Sequence, residues 1–185
     1  MNEQKLQFTN AIPNKTAASE VYPSRTLEVR QQGKLSRSVD VLDVDSAGPL
    51  YTIKSRTLKP HLTFTSFSDS QTIATVEFPS FSRKIDITLR GQPITIQYEW
   101  KWKATYTYTS PTTSAVLTWK SDKYTDMVCL DERGMALARF CCAMLTTSMA
   151  KVGTIEIVGD AAAGGQVLEE LVVTGVSVVN HRQRQ

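Results

Sequence analysis

The closing stretch, LEELVVTGVSVVNHRQRQ (Leu168–Gln185), decides the fold. Seven of its first twelve residues are Leu or Val, and its last five include His181, Arg182 and Arg184. Three structures compete for it: a final strand, a membrane anchor with a basic stop, and a buried helix. Valine content alone favours a strand. Spacing favours a helix, because Leu168, Leu171, Val172, Gly175, Val176 and Val179 recur at helical intervals. Val173 and Val178 carry the apolar surface around most of the circumference, the mark of a helix enclosed on all sides. Glu169 and Glu170 at the front and the basic residues at the back complement a helix dipole. A membrane crossing needs ~20 apolar residues, and about twelve follow these carboxylates. The expected element is therefore a buried helix over about residues 166–182, roughly 25 Å long. Val176 is expected at its driest point. Gly175 costs about 1 kcal/mol relative to Ala in a helix interior, which a close approach by a packed strand explains.

What encloses the helix is read from the rest of the chain. Residues 1–25 are polar and unpatterned, an irregular N-terminal arm. Residues 26–185 read as one domain. Short alternating segments follow one another: TLEV (26–29), SVDVLDV (38–44), PLYTIKSR (49–56), HLTFTSF (61–67) and QTIATVEF (71–78). A hairpin turning on RGQP lies between Leu89 and Ile94, and a second turns on DERG, where Gly134 is free to take a positive φ. AVLTWKS (115–121) and VGTIEIVG (152–159) complete a count of about ten strands, with no alternation of strand and helix. The fold class is mainly β: a closed antiparallel barrel of about 10–12 strands around a central hydrophobic C-terminal helix.

LTWKSDKYTDMVCLDERGMALARF, KVGTIEIVG and LEELVVTGVSVVNHRQRQ together resemble a group of small fungal proteins similar to the Tubby C-terminal-like superfamily. That superfamily holds Tubby domains, LURP-one-related proteins and phospholipid scramblases. The resemblance covers roughly residues 115–185 and implies a twelve-stranded barrel around its C-terminal helix. It also implies binding of anionic lipid, without carrying over any phosphate-binding motif residue by residue.

The net charge of +3 is too small to argue for nucleic acid. Its distribution is uneven: residues 46–124 hold ten basic against five acidic side chains. Three cysteines without metal-ligand spacing read as buried thiols in a reducing compartment, and a cytoplasmic protein is expected. No transmembrane segment, metal or cofactor is expected. The two histidines, His61 and His181, stand apart in sequence, and no nucleophile elbow, zinc motif or Gly-rich nucleotide loop occurs.

The most unusual stretch is YEWKWKATYTY (98–108), holding five of the nine Trp and Tyr residues. Tyr98, Trp100, Trp102, Tyr106 and Tyr108 share one face by period two. Eleven residues exceed a typical strand, so a bend near Ala104 or a division into two strands is expected. The aromatics either pack on the central helix or, where Tyr106 and Tyr108 run past the core, line an apolar groove with Trp119. Lys101 and Lys103, with Lys120 and Lys123, form a candidate cationic surface beside them. Candidate ligand-binding residues are thus Trp100, Trp102, Tyr106, Tyr108, Trp119, Lys101 and Lys103. Two functions are open. One is a non-catalytic module binding an anionic lipid or membrane surface. The other is a cofactor-independent cyclase or pericyclase, such as a Diels–Alderase, holding a hydrophobic polyketide or terpenoid intermediate in an aromatic pocket. The sequence sets no catalytic residue and no oligomeric state.

Overall fold

The computed structural model of the chain describes residues 25–33, 36–46, 48–80, 82–100, 102–122, 126–143, 151–159, 161 and 164–185. The expected arm lies outside them, apart from Arg25, which opens the first strand. Twelve strands follow in order: β1 (Arg25–Gln31), β2 (Ser38–Asp43), β3 (Pro49–Ser55), β4 (Leu62–Ser66), β5 (Thr72–Glu77), β6 (Lys84–Leu89), β7 (Gln92–Trp100), β8 (Ala104–Thr109), β9 (Val116–Ser121), β10 (Met127–Leu130), β11 (Ala136–Cys142) and β12 (Lys151–Ile157). Each pairs antiparallel with its chain neighbours, and β1 closes on β12 with Leu27 opposite Ile155. Closure leaves no strand edge unpaired.

Alternation along the strands builds the wall. In β6, Ile85, Ile87 and Leu89 point inward while Lys84, Asp86 and Thr88 face water. The RGQP hairpin tightens to two residues, Arg90 and Gly91, both at positive φ (47° and 81°). Arg90 is an uncommon residue for that conformation. Its guanidinium is held by Glu169 through two bonds of 2.6 and 2.7 Å. In the DERG turn Gly134 takes a φ of 79°. There Asp131 Oδ1 accepts the backbone N–H of Arg133 and of Met135. The aromatic stretch 98–108 is two strands, with Tyr98 opposite Tyr106 and Trp100 opposite Ala104. That division helps carry the strand count from about ten to twelve.

Helix α1 (Gly165–Gln183) fills the barrel. Leu168, Leu171, Val172, Val173 and Val178 are sealed against inward-facing strand residues. Its two inner hydroxyls bond back along the helix, Thr174 to the Glu170 carbonyl at 2.8 Å and Ser177 to the Val173 carbonyl at 2.6 Å. Gly175 is required by its neighbour: a Cβ there would stand 2.8 Å from Cη2 of Trp119.

Three expectations are corrected. The helix starts early enough that Glu169 and Glu170 lie beyond its first turn, so they do not serve its dipole. They make specific bonds instead. Val176 is not the driest position, because a cleft reaches it. Of the three cysteines only Cys129 is fully buried; Cys141 and Cys142, at the end of β11, are half-buried. Among the described residues no helix is long and apolar enough to cross a membrane.

Candidate functional site

The two mouths of the barrel differ in charge. At the mouth where α1 ends, the described turns carry Arg37, Arg56, Lys59, Arg83 and Lys103, and the helix adds Arg182 and Arg184. Asp122 and Asp126 are the acids in those turns. At the opposite mouth the described turns and helix start carry Asp45, Asp69, Asp131, Glu132, Glu169 and Glu170 against Arg90 and Arg133. One end of the molecule is basic and the other acidic, so its field is directional despite a small net charge.

The aromatic candidates separate into two groups by burial. Tyr106, Tyr108 and Trp119 are buried against α1. Trp119 Nε1 donates to Thr174 Oγ1 at 3.1 Å, and the Tyr108 hydroxyl stands 3.4 Å from the same oxygen. The Tyr106 hydroxyl lies 3.3 Å from Nδ1 of His181. Burial pushes both tyrosine pKa values up. Trp100 and Trp102 do the reverse. Trp100 keeps the inward parity of Tyr98 but stands beyond the rim, 62% exposed, and Trp102 at the tip of the β7–β8 turn is 97% exposed. Trp100 and Trp102, not the tyrosines, run past the core. Lys101 and Lys123 lie outside the described residues. Lys103 follows Trp102 directly and is exposed.

Beside this turn the outer wall carries a pocket of about 300 Å³, lined by Lys103, Thr105, Lys120, Ser121, Asp122, Val128, Leu130 and Arg139. Strand register assembles it. Thr105 pairs with Lys120, Lys120 with Val128, and Val128 with Arg139, one row across β8, β9, β10 and β11. Two strand spacings of ~4.8 Å separate Lys120 from Arg139, with the Val128 side chain between them. Asp122 approaches Arg139 at 3.4 Å, both partly exposed. Two or three cations over a small apolar floor suit an anionic group attached to a hydrophobic body. Arg139 was not among the residues singled out by sequence. Its only signal is a strand register that no local pattern records.

Two further clusters lie inside the barrel. Glu170 is 1% exposed; its Oε2 accepts the Ser110 hydroxyl at 3.0 Å, and its Oε1 has no partner. At the basic mouth His181 is ringed by Tyr98, Tyr106 and Phe78, and Arg184 lies 4.6 Å above the Phe78 ring. His61 Nδ1 accepts the Phe78 N–H at 3.0 Å. Burial lowers the pKa of both histidines, and the Arg184 charge adds to the effect. No group of His, Cys, Asp and Glu among the described residues is arranged to hold a metal.

No protein-family model, no curated protein and no solved structure matches the chain.

Proposed function

We propose that this barrel is a non-catalytic module that docks its basic mouth on an anionic membrane surface, with an anionic headgroup in the Lys103–Lys120–Arg139 pocket. The observation that carries the reading is the placement of Trp102, almost fully exposed, next to Lys103 and beside that pocket. Exposed tryptophan is favoured where one end of the ring meets lipid and the other water, and each basic residue near an anionic leaflet contributes ~1 kcal/mol. Leu58 in the β3–β4 turn adds exposed apolar surface at the same mouth. The closed twelve-stranded barrel with its C-terminal helix, together with the quoted motifs, supports kinship with the Tubby C-terminal-like superfamily. Three cysteines that form no disulfide with one another fit a reducing, cytoplasmic setting.

The cyclase reading has less support. Neither the outer pocket nor the inner cleft described below is walled by Tyr106, Tyr108 or Trp119.

Flotation with vesicles containing phosphatidylserine or phosphoinositides tests the proposal. Wild-type protein floats at low salt and is released as salt screens the charges. Absence of flotation at low salt overturns it.

A further inference from the structure

The helix is not centred in the barrel. It lies nearest β6, β10 and β11, and Gly175 lets its backbone rest on the Trp119 ring of β9. Across the ring from that contact, a cleft of about 50 Å³ remains between helix and wall, lined by an arc of strands from β11 through β12, β1, β2 and β3 to β4. Val29, Ile53, Val176 and Val179 form its sides, and Ser55, Asn180 and Gln183 stand at its opening. Exposure along the helix records the opening. Val172, Val173 and Val178 are sealed, whereas Val176 and Val179 keep 7% and 6% exposure, about two turns and one turn inside the mouth.

Water gains little among such walls, so hydrocarbon displaces it favourably. At ~10–15 Å³ for each water-sized group, the cleft has room for about three or four methylenes. Two arginines adjoin its opening through the backbone of Ser55. The Ser55 N–H donates to the Arg37 carbonyl at 2.9 Å, and Arg56 follows Ser55 in sequence. Both residues are exposed, and the Arg37 guanidinium donates to Thr57 Oγ1 at 3.3 Å. An apolar slot with two exposed arginines next to its rim residue Ser55 is complementary to an alkyl chain with an anionic head.

We propose that this cleft seats the alkyl end of a single-chain anionic amphiphile whose carboxylate or phosphate rests at Arg37 and Arg56. The assignment rests on reading the basic mouth as the lipid-facing end, and it adds to that reading a site for one molecule, distinct from the outer pocket. Eccentric packing then has a use: the small residue that draws the helix to one wall opens the slot at the other.

The test titrates the full chain with ethyl, propyl, butyl and octyl phosphate, and in parallel with octanoate and octanol, all below micelle formation. Methyl resonances of Val176 and Val179 report occupancy. Saturable shifts are expected, with affinity rising about fourfold per added methylene until the cleft is full, the equivalent of ~0.8 kcal/mol per buried CH₂. Arg37→Glu with Arg56→Glu weakens both anions and leaves octanol unchanged. If only one anion responds to the double variant, that anion identifies the head. Val39→Phe fills the cleft from its half-buried lip, with Val152→Phe as a second filling variant should the first unfold. Either one, once shown to melt cooperatively, abolishes the shifts while vesicle flotation persists. The proposal is overturned by affinity independent of chain length, by methyls that do not move, or by a folded filling variant that binds as wild type does. Flotation without octyl binding overturns the cleft alone. Octyl binding without flotation overturns the membrane reading and supports the cleft.

Discussion

Gly175 and Trp119 are in such close contact that no side chain fits between them: a Cβ on Gly175 would stand 2.8 and 2.9 Å from two carbons of the fully buried indole. Gly175→Ala improves helix propensity by about 1 kcal/mol. Overpacking of a sealed core costs about 1–3 kcal/mol. The ring cannot swing away, because its N–H is held by Thr174. The cost exceeds the gain when the ring cannot move, so we expect a net loss of up to about 2 kcal/mol in urea unfolding, restored in part by Trp119→Phe in the same chain. An alanine variant as stable as wild type contradicts the contact.

Thr174 is the shared acceptor of the core. Its hydroxyl oxygen receives the Trp119 N–H, faces the Tyr108 hydroxyl, and returns its own proton to the Glu170 carbonyl. Thr174→Val keeps the shape and strands the indole N–H, at a cost of about 1–3 kcal/mol. Ser177→Ala is the contrast. Its hydroxyl bonds only the Val173 carbonyl, which the helix already satisfies, so the loss stays under ~1 kcal/mol. Equal effects of the two substitutions in denaturant unfolding refute this division.

Acid weakens the fold through its histidines. His181 and His61 have folded pKa values below the ordinary 6.5, chiefly from burial and then from the Arg184 charge. The unfolded chain therefore binds more protons near that pH, and stability rises with pH there. Stability is highest above 6.5 and is lost as pH falls through 6.5 toward the depressed folded values. Tyr98, Tyr106 and Phe78 face His181 from the wall and supply no carboxylate to offset a new charge. His181→Gln flattens the dependence between pH 7.5 and 5.5 in urea titrations, with about 1.4 kcal/mol for each pKa unit removed. An unchanged slope refutes it.

The outer pocket makes opposite predictions for its acid and its bases. Lys120→Glu reverses a charge at its centre and reduces vesicle binding about tenfold or more at low salt. Asp122→Asn frees Arg139 from its neighbour and strengthens binding several-fold. Trp102→Ala weakens binding at high salt as well, because ring insertion is not screened. A uniform response of all three to salt removes the distinction between charge and insertion.

The helix and the barrel were legible because both rest on local periodicity. The repeat through Val179 gave a helix of 166–182, against Gly165–Gln183 in the structure. The period-two strands fell within a residue or two of their bounds. The site was less legible. Period two placed Trp100 on the face of Tyr106, but the turn after Trp100 ends the strand, so the same parity lies inside the wall for one residue and beyond its rim for the other. The Thr105–Lys120–Val128–Arg139 row depends on the mutual register of four strands. Register is set by packing and turn geometry across the sheet, and no single segment contains it. The polarity of the two mouths was likewise hidden, because charges that gather at one end alternate along the chain from one turn to the next.

The seam between β1 and β12 sets an order of events during folding. Leu27 meets Ile155 only after more than a hundred intervening residues have been placed, and such long-range pairings are slow to form. The filling of the ring comes later still in synthesis, since α1 follows β12. A nascent chain halted before Gly165 carries every strand with nothing to hold their inner faces apart from water. Such a chain must await its own last segment or be shielded by a chaperone, and a stop codon there yields aggregate rather than an empty barrel.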